Sequence, residues 1–152
     1  MRELPGPPGA PVVILLHGWT ATADLNFFTC YSALGEHFRV VALDHRGHGR
    51  GIRSPRPFRL SDCADDVAAL ADVLGIATFI PVGYSMGGTI AQLMWKRHEH
   101  RVRGLVLAAT SGYFANSAVE RRRFALLRDR KSTPSELQSP CNLVCRLLLE
   151  KK

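Results

Sequence analysis

Phe79-Ile80-Pro81-Val82-Gly83-Tyr84-Ser85-Met86-Gly87-Gly88 is an apolar run that ends in G-x-S-x-G. The run reads as a buried strand and the residues beyond it as a helix, so Ser85 falls at a tight strand-to-helix turn. A turn this tight strains the serine backbone and needs small residues two positions before and after it, here Gly83 and Gly87. The hydroxyl is then pushed clear of the sheet edge, at a helix N-terminus where N–H groups and the helix dipole favour a developing oxyanion. A plainer reading makes Ser85 a helix cap and nothing more. The strand before it, the helical pattern after it and a second motif upstream favour the nucleophile.

That second motif is Pro11-Val12-Val13-Ile14-Leu15-Leu16-His17-Gly18-Trp19, a continuously apolar, β-branched run that stops at His-Gly. Such runs suit buried strands of parallel sheets. A third apolar run, Val40-Val41-Ala42-Leu43, leads into Asp44-His45-Arg46-Gly47-His48-Gly49. With these three motifs in this order, residues 10 to 115 resemble the α/β-hydrolase family, in its serine esterase and lipase-like form. The resemblance implies that Ser85 is the nucleophile and that the backbone N–H groups of Trp19 and Met86 form the oxyanion hole. His17 is similar to the family's oxyanion-loop histidine, and Gly18 lets the chain turn beside it. Asp44 and Arg46 are read as groups that brace the loop near the site by hydrogen bonds and charge. The family often has D-x-R-G-x-G-x-S here, whereas Ser54 comes later than that pattern expects.

The remaining pattern alternates strand and helix. Strands are expected at 12–16, 40–43, 79–82 and 102–109, and helices at 24–38, from Ser61 to Gly75, and at 86–98. Leu25, Phe28, Leu34 and Phe38 supply the apolar positions of the first helix, and Ser61 is the N-cap candidate of the second. Alternation at this spacing predicts an α/β fold, a doubly wound, mainly parallel sheet with helices on both faces and the site at the carboxyl ends of the strands. This partial hydrolase core is expected over residues 1–115. A basic helical segment and tail, the start of a cap or lid, is expected over 116–152.

A serine nucleophile needs a base, and the base an orienting acid. The histidines after Ser85, His98 and His100, sit at the far end of the helix leaving the elbow, roughly 20 Å away. Glu120, Asp129, Glu136 and Glu150 follow no predicted strand. The chain therefore reads as a fragment that carries a nucleophile and an oxyanion hole without their acid and base. Three functions stay open. The first is hydrolysis of a small-molecule carboxylic ester through an acyl-enzyme at Ser85. The second is related chemistry that the resemblance allows: C–C bond, peptide or lactone hydrolysis, or cofactor-free haloperoxidase activity. The third is a catalytically incomplete fragment or binding protein.

Composition narrows the classes further. The chain has 152 residues, 46% hydrophobic, which is enough for one domain with a core. No apolar run approaches the ~20 residues of a membrane span, and no secretory leader is visible. Four cysteines without a CxxC read as reduced thiols of a cytoplasmic protein. The net charge of +7 gathers toward the C-terminus without aromatic interleaving, which suits a solvated face rather than nucleic-acid binding. His45 and His48 lack a second cluster at ligand spacing, so no metal is expected, and no organic cofactor is implied. Leu105-Val106-Leu107 is expected to leave an apolar sheet edge open to self-association.

Overall fold

The computed structural model describes residues 1–110. Five strands form one sheet: β1 (Arg2–Leu4), β2 (Val12–Leu16), β3 (Arg39–Leu43), β4 (Ile80–Tyr84) and β5 (Val106–Ala108). Their order is β1-β3-β2-β4-β5, with only β1 antiparallel. The helices are α1 (Ala23–Phe27), α2 (Tyr31–Gly35), α3 (Leu60–Val73) and α4 (Met86–Arg97), followed by a 3-10 turn at Glu99–Arg101.

The continuous apolar runs are explained by burial on both sides. Ile14, Leu16, Val41 and Leu43 face Cys63, Val67, Ile90 and Met94 of α3 and α4. Their neighbours Val13, Leu15, Val40 and Ala42 face Ala23, Phe27 and Tyr31 of α1 and α2. The sheet is thus doubly wound, with helices on both faces. From β2 the chain moves to β3 on one side and then crosses to β4 on the other. This reversal opens a crevice between the carboxyl ends of β2 and β4, the ends that carry His17-Gly18 and Ser85.

Three expectations need correction. The helix expected over 24–38 is two short helices, because Cys30 N–H bonds back to Phe27 C=O at 2.8 Å and closes a turn. Thr29 and Cys30 are poor helix formers, and the buried stripe is Ala23, Phe27 and Tyr31. Leu25 and Phe28 are exposed instead. The second helix starts at Leu60, with Arg59 in extended conformation as its cap, so Ser61 lies inside the first turn. Leu60 packs against the core and draws the helix start forward. The last strand is shorter than 102–109: Val102 makes one bridge to Phe79, and regular pairing is confined to β5. Gly75 closes α3 at φ +64°, with Ile76 N–H bonded to Ala71 C=O. The boundary expected at residues 115–116, the basic segment, Cys141 and Cys145 lie outside the described residues.

Candidate active site

Ser85 joins β4 to α4 at φ 53°, ψ −117°, and its side chain makes no capping hydrogen bond to the helix it precedes. The non-glycine residues with positive φ among those described are Thr20, Ser85 and Ala109, and each lies just past the carboxyl end of a strand. Backbone strain is therefore concentrated on the edge of the sheet where the crevice opens. Space dictates the glycines around Ser85. A Cβ on Gly83 would collide with the Gly87 carbonyl, and one on Gly87 with the Leu16 carbonyl. The elbow is also held from its outer side, where Ser85 N–H donates to Ala108 C=O of β5 at 2.9 Å.

The β2 loop lies directly against this turn. A Cβ built on Gly18 would stand 3.3 Å from Ser85 Cβ and 3.3 Å from Tyr84 Cδ1. Gly18 is needed for this closeness rather than for its φ, which is not positive. Trp19 and Met86 are the residues that follow Gly18 and Ser85 in the chain.

His17 is fully buried and engages backbone with both ring nitrogens. Nδ1–H donates to Gly18 C=O at 2.8 Å, and Nε2 accepts from His45 N–H at 2.9 Å. A carbonyl can only accept and an N–H only donate, so the ring is the neutral Nδ1–H tautomer. Burial holds its pKa below the ordinary value, against the opposing pull of the Gly18 carbonyl. The His45 ring lies 4.4 Å from it, buried with neither nitrogen hydrogen-bonded, and burial followed by the nearby His17 and His48 pushes its pKa down to about 3.

Asp44, nearly buried, accepts from Ala23 N–H at 2.8 Å and Arg50 N–H at 2.9 Å, tying the β3 end to α1 and to its own loop. Burial raises the Asp44 pKa, but the two backbone N–H groups, with the nearby His17 and Arg50, bring it below the usual range. Arg46 turns away from the crevice and grips Asp66 of α3 with two bonds, at 2.7 and 2.6 Å, and Asp62 at 3.2 Å. His48, Trp19 and Phe58 pack edge to face in a triangle, with ring centroids 5.3, 5.4 and 5.6 Å apart, and form an aromatic cluster beside the loop.

The structure thus sets Gly18 against Ser85 and Gly87 against Leu16 and His17, while Asp44 and Arg46 hold the loop after β3. Among the described residues, no group of three or more His, Cys, Asp or Glu is placed to hold a metal ion. His98 lies at the far end of α4, where Nε2 meets Asp65 Oδ1 at 2.9 Å. Sequence reading missed three residues here. Phe58 and the burial of His45 leave no trace in a motif. Asn26, whose Oδ1 accepts from Gly18 N–H at 2.8 Å, sits eight residues from its partner, on a helix whose register was misread.

The comparisons with known proteins agree with this geometry. A family model described as the alpha/beta hydrolase fold matches residues 11–140. The chain is 42% identical over 83 residues to a bifunctional esterase/perhydrolase of Acinetobacter calcoaceticus, a match covering 55% of this chain and 30% of that protein. It is 33% identical over 109 residues to a proline iminopeptidase of Pestalotiopsis fici, covering 70% of this chain and 38% of that one. A solved hydrolase from Pseudomonas aeruginosa superposes with a TM-score of 0.74 at 30% identity, over 83% of this chain and 47% of that chain. The chain spans less than half the length of each of these. The match over most of its residues, the sheet order and the elbow lead to one family: the chain belongs to the α/β-hydrolase fold family.

Proposed function

We propose that this chain carries the nucleophile half of a serine hydrolase that cleaves small carboxylic esters. The observation that carries the reading is Ser85 itself, held at φ 53° with its hydroxyl unused as a helix cap. A strained serine that does no local work is what a nucleophile requires. In this reading Ser85 Oγ attacks the ester carbonyl carbon and forms a C–O bond, while the carbonyl electron pair moves onto oxygen. The Trp19 and Met86 N–H groups receive that oxyanion. Collapse expels the alcohol and leaves an acyl group on Ser85. Water then attacks the acyl carbon, releases the carboxylic acid and restores the hydroxyl.

The proton of Ser85 needs a base, and the described residues offer none. His17 has both nitrogens engaged, and His98 is at the wrong end of α4. The resemblance puts acid and base on later strands, and this sequence has no histidine after His100. This same observation favours the second reading, a catalytically incomplete chain that retains the crevice as a binding site. C–C bond, peptide, lactone and haloperoxidase chemistry use the same nucleophile and remain for a substrate panel.

Covalent labelling by a fluorophosphonate, beside Ser85→Ala, tests the proposal. The expected result is labelling of the wild-type chain that is lost in the variant. A folded wild-type chain that takes no label selects the incomplete reading.

A further inference from the structure

We infer that Asn26 is a positioning residue of the oxyanion loop, acting through the backbone N–H of Gly18. The inference rests on the reading of Ser85 and deepens it. Gly18 presents a conflict. A Cβ on it would press on Ser85 and Tyr84 at 3.3 Å, so a side chain there is accommodated only if they give by a few tenths of an ångström. Glycine, however, is the residue with the most freedom about φ and ψ. Left alone, it would let the Trp19 N–H swing.

Two side chains remove that freedom. The Gly18 carbonyl and the Trp19 N–H belong to one rigid trans peptide unit and point in opposite directions, so the His17 ring that holds the carbonyl also aims the N–H. That fixes the unit after Gly18. The unit before it is fixed by Asn26 Oδ1, which accepts the Gly18 N–H at 2.8 Å. With both flanking peptide planes pinned, φ and ψ of Gly18 are set, and the donor N–H is preorganised at Ser85 rather than recruited there. The Asn26 amide has one useful orientation, because the Gly18 N–H can only donate. α1 supplies the foothold: Thr22 caps it by accepting from Leu25 N–H, and Ala23 and Phe27, on either side of Asn26, are buried.

The test compares Asn26→Ala, which removes the acceptor, with Asn26→Asp, which keeps an acceptor oxygen in the same place. The first readout is hydrogen exchange of the Gly18 amide, followed by NMR on the full chain. Exchange at Gly18 is expected to quicken at least about tenfold in Asn26→Ala, with the Ile14 and Val41 amides unchanged, and to stay near wild type in Asn26→Asp. Unchanged Gly18 exchange in Asn26→Ala, or an equal loss of protection along β2, overturns the inference. The second readout is the rate of fluorophosphonate labelling, expected to fall about tenfold in Asn26→Ala at equal folded fraction. A freed Gly18 with an undiminished labelling rate also overturns it. A wild-type chain that takes no label overturns the reading of Ser85, while the exchange comparison still decides whether Asn26 holds the loop.

Discussion

His17 uses both ring nitrogens on backbone groups, donating to Gly18 and accepting from His45, and a protonated ring cannot do both. His45 beside it is buried with neither ring nitrogen hydrogen-bonded, and the nearby Asp44 only partly offsets the cost of burying a charge there. Both pKa values are depressed by burial from the ordinary 6.5, His45 to about 3. The unfolded chain takes up these protons as pH falls through 6.5, while the folded chain resists. The stability contributed by the neutral rings is therefore full above pH 6.5 and is lost as pH falls toward 3. His45 is expected to cost up to about 1.4 kcal/mol per pH unit within that window, and the depressed pKa of His17 acts in the same direction. Thermal midpoints measured from pH 8 to pH 4 should fall on the acid side, and His45→Leu should flatten the slope. At this scale the sequence was legible where a residue's neighbours in the chain are also its neighbours in space. Gly83, Ser85 and Gly87 report on one another through a single turn. Asn26 and Gly18 meet because α1 folds back on the end of β2, and His17 and His45 because two strand ends come together; no local pattern announces either.

β2 and β3 were readable because burial on both sheet faces leaves only apolar residues at Val12–Leu16 and Val40–Leu43, so an unbroken apolar run marks each one. Helices were harder. α1 carries Leu25 and Phe28 on its solvent side, which mimicked a buried stripe and hid the turn at Cys30. α3 was found from Val67 and Ala71, but its start was misplaced by two residues because Ser61, rather than Arg59, looked like the cap. This element also matters for the site, since Arg46 anchors the loop after β3 to Asp62 and Asp66 on it. Arg46 is only 17% exposed and Asp66 18%, so the bidentate pair is shielded enough to count. Arg46→Met is expected to destabilise the fold by about 1–3 kcal/mol in urea unfolding. Asp44 remains bound to Ala23 and Arg50 in that variant, so the β2–β4 crevice should keep its shape.

On the scale of the whole molecule, β5 borders the sheet, and among the described residues no strand pairs with its outer side. Next to it a groove of about 650 Å³ runs along α4, lined by Leu93, Trp95, Leu105 and Leu107. An apolar margin of this kind favours association between copies. Sedimentation velocity is expected to show a concentration-dependent shift that Trp95→Arg reduces, whereas a sharp cooperative melt from a strictly monomeric sample would count against it. Among the described residues no helix is long and apolar enough to cross a membrane. The bond from Ser85 N–H to Ala108 C=O has a consequence for the order in which the molecule is made. Translation delivers the whole G-x-S-x-G motif well before Ala108 leaves the ribosome, so the nascent elbow exists for a time as a flexible loop with an ordinary hydroxyl. That bond is absent until the strand beyond the elbow has been synthesised and laid alongside, so the elbow is completed late in the life of the growing chain.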